Sequence, residues 1–350
     1  MVAHSHAVGG IERHVVNLAH ALAHHGHEVA YAGPLDGWLG EQMRQAGHTC
    51  LHVPMHGMFD LWSALRLVAF AKRWRADLLH GHAQRGGRYA DWAARWSGVP
   101  AVMTAHATNA GKWFTHRWPL IAVSGAVRAH LLSRGLPSTQ IKVVYPGIPD
   151  IDARPPAPGP VSATRPLVLG MVARMERVKG QDLALEALAR IPCRAMVRLR
   201  LAGADTPWAE DMRRRAVELG VAEQVDFLGQ CSDVPALLGE LDLLLAPSRR
   251  ESLGLSLVEA AAAGRSCVAA RIGGIPEVVD DDSTGLLVAP EDPDALAGGI
   301  LRLATDDALR VAWGRAARRR YERLFTLTAM VAQTVPVYQA AVEARARIAA

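Results

Sequence analysis

The sequence predicts an α/β protein of two doubly wound domains, each a parallel sheet covered on both faces by helices. Three observations carry this expectation. Short apolar runs closed by turn or polar residues alternate with helical patterns; the alternation occurs twice; and "IPDIDARPPAPGPVSATRP" at 148–166, with no apolar period, separates the two series as a linker. A chain of 350 residues is also too long for one ordinary core, and about 150 to 180 residues per domain is the natural division.

The first series of strand candidates reads "HEVAYAG", "ADLLHGH", "PAVMTAH", "LIAVS" and "IKVVYPG". Ahead of it lies a well-defined helix. Ile11, Val15, Leu18 and Leu22 form one apolar stripe facing a sheet, and Gly26 follows as a stop. Gly9 and Gly10 then sit between a strand and a helix start, where bare backbone can approach a phosphate. The segment before them is brief for a first strand, which suggests a chain start further upstream. The second series reads "LVLGMVA", "VRLRLAG", "VDFLG", "DLLLAPS" and "SCVAARIGG". From about Trp313 the chain reads as helix, with Pro336 an expected break or kink, and is long enough to return to the first domain. The expected division is 1–152, joined by a C-terminal helix at about 328–350, and 153–327. Ligands of such sheets bind at the carboxyl ends of the strands, so the site is expected in the cleft across which the two domains face one another.

Composition excludes several classes. The apolar runs fall far short of the roughly 20 residues a spanning helix needs. The opening "MVAHSHAVGG" has neither a basic start with an apolar stretch nor a small-residue cleavage site, so a cytoplasmic protein is expected. Cys50, Cys193, Cys231 and Cys267 stand far apart, which fits reduced thiols better than a disulfide framework or a zinc site. The formal net charge of +5 is unevenly placed: residues 1–152 hold 14 Lys/Arg against 9 Asp/Glu, residues 153–350 hold 25 of each, and all 15 histidines lie in the first part. That asymmetry fits a first domain facing an anionic acceptor or a lipid headgroup surface, or ordinary compositional drift. No clustered aromatic-and-basic reading surface for nucleic acid is present.

Two segments of the second half carry candidate chemistry. In "RRESLGLSLVEAAAAG", 249–264, Glu251 falls on a loop and Glu259 inside the following helix. That helix opens at Gly254 and Leu255 with unpaired N–H groups suited to an anion. A carboxylate among Leu257, Val258 and Ala260 to Ala263 is poorly placed unless a ligand uses it. In "GMVARMERVKGQDLALEAL", 170–188, Arg174 and Lys179 follow a strand end, where two cations can clamp a diphosphate without metal. In the first half, His82, Arg85 and Arg88 follow a strand end and are candidates for binding an acceptor, which would suit a phosphorylated or lipid-linked glycan. Trp62, Leu65, Phe70 and Trp74 mix with Arg66, Lys72, Arg73 and Arg75; this reads first as a core helix with a charged side, and second as a face resting on an anionic membrane. His20 and His24 have zinc-compatible spacing but read better as an exposed helix face.

Taken in order, "VGGIERHVVNLAHALAHHGHEV", "VARMERVKGQDLALEAL", "VDFLGQCSDVPALL" and "APSRRESLGLSLVEAAAAGRSCVAARIGGIPEVVDDDSTGLLVAPEDPDALA" resemble the retaining nucleotide-sugar glycosyltransferases of family 4, of the lipopolysaccharide and exopolysaccharide type. The resemblance covers nearly the whole chain, is closest in its second half, and implies the GT-B fold of two Rossmann-like domains. The sequence departs from the family at Ser252 and Leu253, where Gly and Phe are frequent, at "YPGIPD", and in its short first strand. The resemblance implies that Glu259 holds the donor ribose. It implies that Glu251 holds hydroxyls of the donor sugar, with backbone N–H groups around Ser252, Leu253, Gly254 and Leu255. Arg174 and Lys179 would neutralise the diphosphate, and Gly10 would approach it. His106, after the fourth strand, would sit against the donor sugar.

The expected function is therefore transfer of a hexose from a nucleotide-diphosphate donor to a glycan or glycolipid, in cell-envelope polysaccharide or lipopolysaccharide synthesis. Neither cofactor nor metal is expected. A contact with the anionic inner-membrane surface is the further partner considered. The alternatives are a nucleotide-sugar epimerase or hydrolase on the same fold, and an inactive binding subunit.

Overall fold

A computed structural model describes residues 1–5, 8–151, 161–162, 164–193 and 196–349. The expected linker falls largely on 152–160 and 163, outside the described residues. The chain forms two compact units, Met1–Pro149 with Leu324–Ala350, and Asp150–Arg323.

In the first unit, strands β1 (Ala30–Gly33) and β2 (Thr49–His52) pair in parallel, and β3 (Leu79–His82), β4 (Ala101–Ala105), β5 (Leu120–Ala122) and β6 (Ile141–Val143) form a second parallel set. The opening residues join the two sets. Val2 bridges both Ala32 and Gly81, with Val2 N donating to His80 O at 2.7 Å and His82 N donating to Val2 O at 2.8 Å. On the other side Ala32 N donates to Met1 O at 2.9 Å. Brief as it is, this segment acts as a central strand. The approach is close enough that a Cβ on Gly86 would lie 2.3 Å from the Val2 carbonyl oxygen.

Helices α1 (Gly10–His24), α2 (Trp38–Gln45), α3 (Leu61–Arg73), α4 (Ala83–Ser97) and α5 (Gly125–Ser133) connect these strands. The stripe expected on α1 is buried at Val15, Leu18 and Leu22, and the helix stops before Gly26 at φ +86°. Strand β2 escapes sequence reading because "TCLH" is short and only half-buried.

The second unit contains β7 (Leu167–Val172), β8 (Val197–Ala202), β9 (Val225–Gly229), β10 (Leu243–Ala246), β11 (Ser266–Ala270) and β12 (Leu286–Val288), all parallel, in the order β12-β11-β10-β7-β8-β9. Strand order reverses between β7 and β10, the switch point where ligands of such sheets bind. Helices α6 (Gln181–Arg190), α7 (Pro207–Glu218), α8 (Val234–Glu240), α9 (Leu255–Ala262), α10 (Ile275–Val278), α11 (Pro293–Thr305) and α12 (Asp307–Leu324) complete the unit. Its core joins Leu169, Leu199, Leu243 and Val268 of the sheet to Leu185 of α6 and Ile300 of α11.

The last helix, α13 (Leu327–Ala349), belongs to the first unit and runs on through Pro336 rather than ending there. An interior proline costs about 3 kcal/mol. Burial of Met330, Val331, Val337 and Ala341 with Leu18 and Leu22 of α1 holds the helix on both sides of it.

Gly86→Ala should lower stability by about 1–3 kcal/mol, because its methyl meets backbone that cannot move aside. Gly239→Ala, in open space on α8, should lose no stability and gain up to about 1 kcal/mol. Urea unfolding of both variants checks the contrast.

Candidate functional site

At the β7/β10 switch point of the second unit a hollow is lined by Ala173, Lys179, Ser248, Glu251, Gly254 and Ser256, among others. Lys179 and Glu251 are 72 residues apart in sequence, yet Lys179 Nζ donates to Glu251 Oε2 at 2.5 Å. Both are largely but not wholly covered, at 23% and 17% exposure. The other oxygen, Glu251 Oε1, accepts from the Ser252 backbone N–H at 3.1 Å. Each group keeps a face for a ligand.

Close backbone contacts set this geometry. Gly180 (φ +75°) follows Lys179, and a Cβ there would lie 2.1 Å from the Pro247 carbonyl oxygen. The Glu251–Ser252 backbone packs on "GG" at 273 and 274, where added Cβ atoms would lie 1.9 Å from Glu251 O and 2.1 Å from Ser252 O. Gly254 (φ +94°) then turns the chain into α9. Leu253 is buried, Ser252 and Leu255 are half-buried, and Glu259 lies half-buried within the helix. The hollow therefore combines an ammonium, a carboxylate and the N-terminus of a helix, which suits a ligand carrying both phosphate and hydroxyl groups.

Arg249 is a positioning residue of this hollow that sequence reading missed. Its guanidinium forks onto Asp182 at 2.8 and 2.9 Å, reaches Glu291 at 2.8 Å, and donates to the Arg177 carbonyl at 2.8 Å. The Arg249 N–H donates to Val178 O at 2.9 Å. These bonds raise its pKa further above the usual arginine range, the fork to Asp182 foremost. They tie the loop bearing Glu251 to the loop bearing Lys179. The available signal was the arginine pair ahead of Glu251, which looks like any charged turn. Arg174, by contrast, is well exposed, pairs with Glu176 at 3.0 Å, and is not among the residues lining the hollow.

The first unit gathers a different set. His82 ends β3, His106 follows β4, and His14 projects from α1; His82 Nδ1 lies 3.3 Å from His106 Nε2, and the His14 ring centroid lies 4.9 Å from that of His106. Burial holds the His14 pKa down at about 4, and burial followed by the neighbouring imidazoles holds His82 and His106 well below the usual range. Gly10 is exposed at the first turn of α1. Arg85 Nη1 lies 2.6 Å from His4 Nε2. Arg88 is enclosed by Phe59, Trp92 and Trp113, at 4.4, 4.4 and 4.3 Å from their ring centroids, and its Nε donates to Met58 O at 2.7 Å. Its charge holds an aromatic wall together.

Comparison with known proteins decides the family. Residues 8–150 match the model described as Glycosyltransferase Family 4, and residues 158–320 match Glycosyl transferases group 1. A D-inositol 3-phosphate glycosyltransferase of Saccharomonospora viridis is 30% identical over 301 residues, covering 74% of this chain and 69% of the relative. The chain belongs to the family 4 glycosyltransferases. A glycogen synthase of Mycobacterium tuberculosis is 29% identical over 384 aligned residues, covering 95% of this chain and 92% of that protein. The fold is shared with solved glycosyltransferases. Anabaena HepE, solved with UDP, has a TM-score of 0.84 at 22% identity over 96% of this chain and 98% of its own. A Rickettsia africae glycosyltransferase has a TM-score of 0.86 at 20% identity over 97% of each chain. This glycosyltransferase thus has the GT-B fold expected from its sequence.

Arg249→Ala should cost about 2–3 kcal/mol, since it leaves Asp182 half-buried without its fork. Arg249→Lys should recover less than half of that, because an ammonium cannot fork. Thermal unfolding of the pair is the check.

Proposed function

We propose that this glycosyltransferase is a retaining, metal-independent enzyme that moves a hexose-type sugar from a nucleotide-diphosphate donor to a glycan or lipid-linked acceptor in cell-envelope polysaccharide or lipopolysaccharide synthesis. The observation that carries the donor half of this reading is the Lys179–Glu251 pair beside the N-terminus of α9. The solved complexes of HepE with UDP and UDP-glucose support a nucleotide-sugar donor.

In this reading Lys179 leaves Glu251 for the donor diphosphate, with Arg174 and the first N–H groups of α9 adding positive charge. Glu251, freed, accepts from hydroxyls of the sugar, aided by the backbone around Ser252, Leu253, Gly254 and Leu255. Glu259 takes the ribose, and the bare backbone at Gly10 approaches the phosphates. As the bond between the anomeric carbon and the phosphate oxygen breaks, negative charge grows on the diphosphate, where Lys179 and the helix terminus stabilise it. The acceptor hydroxyl bonds to the anomeric carbon on the face the diphosphate leaves, and its proton passes to the departing phosphate oxygen. His106, held neutral, orients the sugar. Protein cations supply the charge that a metal would otherwise bring.

The acceptor half rests on the first unit. His82 and Arg85 are the acceptor-binding candidates, and Arg88 acts through the aromatic wall it holds. Phe59 of that wall is exposed, as are Leu61, Trp62 and Leu65 that follow it, Trp62 at 79%, while Arg66, Lys72, Arg73 and Arg75 continue the exposed side beyond them. The buried side of α3 is Ser63, Ala64, Leu67, Phe70 and Ala71, so Trp62 and Leu65 are not core residues. An exposed tryptophan next to a basic run supports seating on an anionic bilayer, where a lipid-linked acceptor would be presented, on the cytoplasmic face. Among the described residues no helix is long and apolar enough to cross a membrane.

Lys179→Ala and Glu259→Ala should each lower donor kcat/KM by at least about a hundredfold; full activity in either would overturn the donor assignment. Sugar release without acceptor at the rate of transfer would favour a hydrolase. Trp62→Ser with Leu65→Ser should release the protein from vesicles containing phosphatidylglycerol in co-sedimentation, while turnover of a soluble acceptor stays within about twofold.

A further inference from the structure

His14 poses a problem that the transfer reaction leaves unsolved. It is 4% exposed, and neither of its ring nitrogens has a hydrogen-bond partner. A buried imidazole in that state carries the desolvation penalty of its polar atoms with nothing to offset it. What faces it is not apolar: one nitrogen each of His14, His82 and His106 lie within 4.8 Å of one another. The His82 Nδ1–His106 Nε2 separation is 3.3 Å, and two nitrogens bound at 2.0–2.1 Å to one tetrahedral zinc ion stand about 3.3 Å apart. One edge of a tetrahedral site thus already has its length, and the other two close as the His14 ring moves toward that pair.

The neighbouring imidazole is excluded from the set. His80 spends Nδ1 on Tyr338 Oη at 2.6 Å and Nε2 on Thr104 Oγ1 at 2.7 Å, so it supports His82 from behind, with ring centroids 4.0 Å apart. Three imidazole nitrogens without a carboxylate select zinc, cobalt, nickel or copper over magnesium, calcium and manganese.

We propose that His14, His82 and His106 bind one divalent transition-metal ion, zinc in the first instance, and that the bound ion inhibits glycosyl transfer by occupying His106. The second half of this statement rests on the role proposed for His106 above. The support behind the ligands is thin: the remaining nitrogen of His82 meets only the Met1 thioether at 3.4 Å, and that of His14 meets no acceptor. A site lacking such support binds about 10–100-fold more weakly than a fully supported one, which fits a reversible inhibitory ion rather than a structural one.

The test uses the full chain, stripped with EDTA and dialysed. Calorimetric titration with zinc should show one equivalent bound, magnesium should give no heat, and cobalt should give the visible absorption of a tetrahedral nitrogen site. His14→Leu fills the same space without a ligand; it should weaken zinc binding at least tenfold and remove zinc inhibition while transfer without zinc persists. His14→Gln is the second variant should the leucine not fold. His20 and His48, with ring centroids 5.4 Å apart, form a competing pair nearer the surface, so His20→Ala should leave the binding unchanged. Zinc binding that survives both His14 variants, or that disappears with His20→Ala, overturns the site. Stoichiometric binding lost in His14→Leu, in a protein that shows no transfer at all, keeps the site and refutes the functional reading. Transfer unaffected by saturating zinc refutes the inhibition.

Discussion

Arg249 joins two loops that the sheet alone would only bring near each other. The loop after β7 carries Lys179 and the loop after β10 carries Glu251. The Arg249 guanidinium reaches Asp182, Glu291 and the Arg177 carbonyl, and the backbone N–H of Arg249 donates to Val178 O. Its planar fork matches a carboxylate in a way a lysine cannot, so the junction is directional as well as charged. The remaining distance is closed by missing side chains: Gly180 against Pro247, and Gly273 and Gly274 against Glu251 and Ser252. Charge and close backbone packing together place an ammonium and a carboxylate in contact at the mouth of a helix.

The two units divide the chemistry by composition. In the second unit the charges around the hollow are balanced against one another, so that its cation and its acid are both held in place yet partly exposed. The first unit gathers neutral imidazoles at the ends of β3 and β4 and under α1, and exposes Arg66, Lys72 and Arg73 on the outer side of α3. Buried histidines stripped of water stay uncharged at neutral pH and offer lone pairs rather than positive charge. Exposed arginines and lysines do the reverse. One sequence thus presents two kinds of nitrogen chemistry within one domain.

Much of the secondary structure was legible from the residues. The stripe at Val15, Leu18 and Leu22 found its core, and the apolar runs from "HEVAYAG" to "SCVAARIGG" all became strands. Strands β2 and β12 were not read; "TCLH" is only partly buried and offers no apolar run, and "LLV" stands within a loop-like, charged stretch. Pro336 was read as a break, and the helix continues because packing on α1 outweighs one lost hydrogen bond. The exposed Trp62 and Leu65 were read first as core, since an apolar residue in a helix carries no mark of which face its neighbours cover.

The sequence by itself determined the alternation of strand and helix, the two-domain α/β class, and the residue types set around the β7/β10 switch point. These depend on periodicity and local turn chemistry, which act over a few residues. Only the tertiary structure decided that Lys179 meets Glu251 across 72 residues, that Arg249 ties their loops, and that Met1 to Ala3 complete a sheet between β1 and β3. It alone brought His14 to His82 and His106. Those pairings arise when parallel strands distant in sequence are laid side by side, and no local pattern encodes which two strand ends will be neighbours.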